Sequence, residues 1–149
     1  MSVPYDIFVN SFLSKVTEYE YMHLDREYAV DIIDGFMKRA LQAFRKNCKY
    51  DFFSTADDAA RMFTLDIPAD DLEEIVNIVS DGMIAQWMKP YVNKTTLLRN
   101  VLNTRDFTTY SPAELLLRVG NAYEKAQKEF IQGIREYSYN HGKLTELHI

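Results

Sequence analysis

Small or apolar residues recur at Leu115, Val119, Ala122, Ala126, Phe130, Ile134 and Tyr137, in steps of three and four. Only an α-helix, at 3.6 residues per turn, brings such positions onto one face. The run is bracketed by end signals. Ser111 can cap the free amides of a first turn, Pro112 stands where no N–H is needed, and Glu114 can reach back to the cap. Asn140-His141-Gly142 closes it, with Gly142 suited to the left-handed position beyond a helix end. The spacing predicts a helix of roughly 25 residues, about 40 Å long. A helix of that length with one apolar side needs a protein body to lie on, and the rest of the chain must supply it. Past the helix, Lys143 to Ile149 presents Leu144, Leu147 and Ile149 with neither a pattern nor the length to fold alone. That tail is expected to dock on another chain.

Three more helices are expected to form the body. Asp6 can cap the first, with Ile7, Phe8, Phe12, Leu13 and Val16 as its apolar side. Asp25 is expected to open the second, which runs to about Asn47. Ala29, Ile32, Ile33, Phe36, Met37, Ala40, Leu41 and Phe44 line one face of it, and Asp34 and Lys38 pair at i,i+4 on the other. Asp70 or Asp71 opens the third, with Glu73 and Glu74 in a first turn that favours acids. Its stripe is Leu72, Ile75, Val76, Val79, Met83 and Trp87. Ile78, Ala85 and Met88 lie off that stripe, so this helix should be covered on more than one side. Pro90 is expected to stop or bend it, and a short helix to follow over Thr95 to Leu102. Residues 48–68 read as a connection with at most one short strand pair or helical turn, the least constrained and most mobile part. The expected fold is all-α: a bundle of four or five helices with a long C-terminal helix and an extended C-terminal tail. Residues 1–142 form a single helical domain and 143–149 a docking tail.

Composition narrows the function classes. Over 149 residues, 47% hydrophobic and 26% charged content is that of a soluble globular chain. No apolar run approaches the ~18 residues of a membrane span, so no membrane partner is expected. Met1-Ser2-Val3-Pro4-Tyr5-Asp6 lacks the layout of a signal peptide, which favours assembly in the cytoplasm. The single cysteine, Cys48, allows no disulfide within the chain and no cysteine-based zinc site.

The net charge of −5 is unevenly placed. Residues 57–88 hold eight Asp/Glu against Arg61 alone, or −7, whereas residues 89–149 hold nine Lys/Arg against six acids, or +3. Such opposite surfaces can attract each other within a chain or between neighbours. An acid excess without a basic stripe disfavours a DNA-binding module.

Signals of chemistry are sparse. His23, His141 and His148 show no metal-ligand spacing, Cys48 has no activating neighbour in the sequence, and there is no phosphate loop or nucleophile elbow. Asp70, Asp71, Glu73 and Glu74 fit a charged helix start better than a metal site. Neither enzymatic activity nor a cofactor nor a metal is expected. The alternative is a small metal-dependent, nuclease-like helical enzyme using Asp70, Asp71 and Glu74, or a regulatory binding module. Tyrosines in links and near helix ends (Tyr19, Tyr21, Tyr50, Tyr110, Tyr137, Tyr139) suit interfaces, because the ring buries area while the hydroxyl stays wet.

Two runs, Glu74 to Tyr91 (EIVNIVSDGMIAQWMKPY) and Leu102 to Leu115 (LNTRDFTTYSPAEL), with the ending Tyr137-Ser138-Tyr139-Asn140-His141-Gly142, resemble small proteins encoded among the head and neck genes of tailed bacteriophages. The plan is similar to that of head–tail connector proteins, also called adaptor or head-completion proteins. The resemblance implies a virion neck protein, assembled in the host cytoplasm as a homo-oligomeric ring, commonly twelve-fold, between the capsid portal and the tail or tail-completion proteins. DNA would pass through the ring without sequence-specific binding. Tyr137, Tyr139, His141, Leu144, Leu147, His148 and Ile149 would then form a portal-facing arm. Asp57, Asp58, Asp70, Asp71, Glu73 and Glu74 would face a neighbouring subunit or the DNA channel.

Overall fold

The computed structural model describes residues 2–22, 30–93 and 112–141. It is mostly helical. Helix α1 spans Tyr5–Val16 and runs into a 3-10 segment, Thr17–Met22; α2 is Val30–Phe44, α3 Ala69–Asn93 and α4 Pro112–His141. The expected all-α architecture with a long C-terminal helix is present. Helix α4, at 30 residues, exceeds the predicted length, and Pro112 is its first residue, as its fixed φ and missing N–H favour. The expected helix over 95–102, the caps Asp25 and Ser111 and the tail 143–149 lie outside the described residues.

Helix α3 is the axis of the bundle, with α1, α2 and α4 all packed on it. Its sequence explains this position. From Ile75 to Met88 it buries Ile75, Val76, Ile78, Val79, Met83, Ile84, Ala85, Trp87 and Met88, apolar side chains on several faces that no single neighbour could cover. Ser80 is fully buried among them and keeps its hydroxyl satisfied. Ser11 donates to it at 3.0 Å, and it donates to the Asn77 carbonyl at 2.9 Å. Gly82 marks the point of closest approach, since a Cβ there would stand 2.9 Å from that of Ala40 on α2 and 2.8 Å from the Phe130 ring on α4. The α4 stripe Val119, Ala122, Ala126, Phe130, Ile134 and Tyr137 is buried throughout. Each large side chain so placed contributes about 1.5–3 kcal/mol.

A small sheet closes one end. Strands β1 (Val3–Pro4), β2 (Ala56–Asp57) and β3 (Met62–Phe63) pair antiparallel in the order β1-β3-β2, with Val3 and Ala56 both opposite Phe63. The 48–68 connection therefore holds the expected strand pair and also binds the N-terminus. Phe63 joins Tyr5, Phe8 and Phe52 in an aromatic cluster with ring centroids 4.7, 6.0 and 5.0 Å away.

Four local expectations are corrected. Asp6 is not the cap of α1, because Pro4 holds that position without a side-chain hydrogen bond and Asp6 lies in the first turn. Ile32 is 47% exposed, since α2 is covered along Ile33, Phe36, Met37, Ala40, Leu41 and Phe44 instead. Asp34 does not pair with Lys38. It is buried against Arg61, while Lys38 reaches Asp58 at 2.8 Å. Pro90 does not stop α3. The helix continues to Asn93, and losing one N–H bond near its last turn is tolerated.

Candidate functional site

The acids singled out from the sequence fall into two settings. Asp57 and Asp58 sit on the β2–β3 turn. Asp57 accepts from the Ala60 amide at 3.1 Å and so shapes the turn. Asp58 accepts from Lys38 and, at 2.7 Å, from the Tyr5 hydroxyl. Lys38 first and Tyr5 second hold the Asp58 carboxyl below its ordinary range. Burial first, and then Asp58, pushes the Tyr5 phenol well above its own.

Asp70, Asp71, Glu73 and Glu74 occupy the first turns of α3, where free amides favour acids. Asp71 is half-buried and accepts from the Tyr50 hydroxyl at 2.9 Å. Asp70 and Glu73 are exposed and border a groove of about 760 Å³ between α1 and α3, with Ile7, Leu72 and Val76 in its walls. A second groove, about 290 Å³ between α3 and α4, shares Glu74 and Asn77 with the first and adds Asp81, Glu129 and Glu136. Acids thus line α3 and the near side of α4 across both grooves. Lys15 supplies a counter-charge among them, donating to Asp81 at 2.6 Å and to both oxygens of Asn77, and Lys125 stands 4.0 Å from Glu129. Among the described residues, no three His, Cys, Asp or Glu side chains stand where they could share one metal ion. The Asp70, Asp71 and Glu74 constellation of the enzyme alternative is therefore not assembled into a cation cage.

The opposite face of α4 differs. Lys128 and Arg135 are exposed there, with Glu124 one turn before Lys128, alongside Leu117 at 64%, Ile131 at 40% and Tyr139 at 67% exposure. Sequence reading selected Tyr139 from this face and missed the others. They could have been found as a three-and-four-step stripe on the side opposite the core residues of α4.

The proposed arm is divided. Tyr137 leaves it altogether: it is fully buried, its ring 5.0 Å from that of Phe44, and its hydroxyl accepts from the Lys49 amide. Burial pushes its phenol far up. The physical reason is its register with Phe130 and Ile134, which places it on the core side of α4. Tyr139 is on the surface, and His141 is the last residue of the helix. Leu144, Leu147, His148 and Ile149 lie outside the described residues. Cys48 is half-buried beside Tyr137, and burial raises its thiol to about 11.

No helix among the described residues is long and apolar enough to cross a membrane. Comparison with protein families, curated proteins and solved structures gives no match to this chain.

Proposed function

We propose that this chain is a structural subunit of a tailed-phage neck, a connector that assembles as a ring between the capsid portal and the tail and works by being placed rather than by making bonds. Two things support the reading: the resemblance of residues 74–91, 102–115 and 137–142, and the segregation of exposed charge. The segregation carries it. Acids gather on α3 and the near side of α4, while Lys128 and Arg135, with Glu124 one turn away, share the far side of α4 with exposed apolar side chains. Two complementary patches on one chain suit contacts that repeat from copy to copy and close into a ring. Any part of the acidic surface left facing the lumen would repel phosphate and let DNA slide without sticking.

In this reading Tyr139, His141 and the residues beyond them reach the portal. The test is deletion of Lys143 to Ile149. A folded helical protein that no longer joins the portal is the expected result, and normal joining by the truncated chain would remove the arm from the account.

A further inference from the structure

On the outward face of α4, Ile131 is 40% exposed, with Lys128 about one turn before it and Arg135 about one turn after, the two cations about 10 Å apart along the axis. Both are exposed, and neither is ion-paired among the described residues. A single exposed isoleucine is ordinary on a protein surface; what this one adds is its position between two cations, which gives the face an apolar contact and a charge to offer an acidic partner.

The groove between α1 and α3 has the inverse pattern. Ile7, Leu72 and Val76 provide an apolar floor, and Asp70 and Glu73 stand exposed at its border. The stretch of α3 that lines it, Ala69 to Asn77, is about 12 Å long, enough to receive the two turns between Lys128 and Arg135; Asp70 and Glu73 stand only about 4.5 Å apart along the axis, so the two long cationic side chains must converge on them.

We propose that these surfaces bind each other between copies: Ile131 of one copy enters the groove over Ile7, Leu72 and Val76 of the next, and Lys128 and Arg135 meet Asp70 and Glu73 at its border. The inference rests on the connector reading's claim that copies assemble, and it names the contact. Because the two patches are different, the contact is heterologous, and every copy retains one free half for a further neighbour. Burial of Ile131 supplies affinity, and the flanking charges supply orientation and association rate.

A paired charge swap tests it. One variant carries Lys128→Glu with Arg135→Glu, the other Asp70→Lys with Glu73→Lys; all four positions are on the surface, and circular dichroism with Trp87 fluorescence checks that both fold. In sedimentation at low salt the natural chain is expected to self-associate, and each variant alone to do so roughly a hundredfold more weakly. An equimolar mixture should regain association, because reversed face then meets reversed groove while native face meets native groove. Ile131→Ser should weaken association at high salt as well as low, since its part is not electrostatic.

A natural chain that stays monomeric at every concentration overturns the proposal. So does either variant associating like the natural chain, or a mixture no better than its components. Capture of purified portal separates this contact from the reading it rests on. Assemblies that obey the swap but capture no portal refute the connector and keep the interface. Portal capture by a chain whose association ignores both swaps does the reverse.

Discussion

The guanidinium of Arg61 grips the carboxylate of Asp34 with two parallel hydrogen bonds, Nε to Oδ2 at 2.9 Å and Nη2 to Oδ1 at 2.8 Å. Its remaining arm reaches Asp6 at 2.7 Å, so one side chain joins the β2–β3 turn to α1 and α2. Arg61 adopts a left-handed backbone, φ 54°, a conformation costing a non-glycine residue roughly 1–2 kcal/mol. Three charged hydrogen bonds offset that cost.

Arg61→Ala leaves Asp34 buried without its partner and should cost about 2–3 kcal/mol in urea denaturation. Arg61→Lys keeps the charge but loses the planar fork, and should recover less than half of the loss. Full recovery by lysine would show that geometry does not matter at this site.

Two glycines predict opposite signs. Gly82→Ala drives a Cβ to 2.9 Å from that of Ala40, which its own helix holds fixed. It should destabilise by about 1–3 kcal/mol despite alanine's better helix propensity. Gly120→Ala meets nothing within 4 Å and should stabilise by about 0.5–1 kcal/mol. Thermal midpoints of the two variants decide the matter, and equal shifts would contradict the helix crossing at Gly82.

Cys48 titrates in a direction that chemistry can read. Burial raises its thiol from 9.0 to about 11, so at pH 8 the folded protein should hold roughly a hundredfold less thiolate than the unfolded chain. Alkylation should be correspondingly slow and accelerate in urea. The sign for stability follows. The raised value means the folded state keeps its proton longer, so this group's contribution is intact below pH 9 and falls as pH rises from there towards 11. Equal alkylation rates in folded and unfolded protein would refute the burial.

The helices were legible because burial writes a period. Ile33, Phe36, Met37, Ala40, Leu41 and Phe44 on α2, and Val119 through Tyr137 on α4, repeat at helical spacing and are buried as that spacing implies. The surplus apolar residues Ile78, Ala85 and Met88 likewise announced that α3 lies among neighbours. Strand β1 was not legible, since two residues carry no alternation. Nor was the Arg61–Asp34 pair: the i,i+4 spacing of Asp34 and Lys38 says nothing of a third element arriving from 27 residues away. At the candidate site the acids at the start of α3 were visible as a helix signature. Their grouping with Ile7 on α1 was not, because it depends on how two helices cross. Tyr137 ends the α4 stripe in the sequence and also fits the portal-facing arm as a tyrosine near a helix end; its burial keeps the stripe and removes it from the arm.

The claim that this chain works as a neck subunit is tested most directly by imaging portal particles assembled with and without it. A ring of copies seated beneath the portal is the expected result, present only when the chain is supplied and required for tail attachment. Particles that attach tails in its absence, with no such ring when it is present, would contradict it.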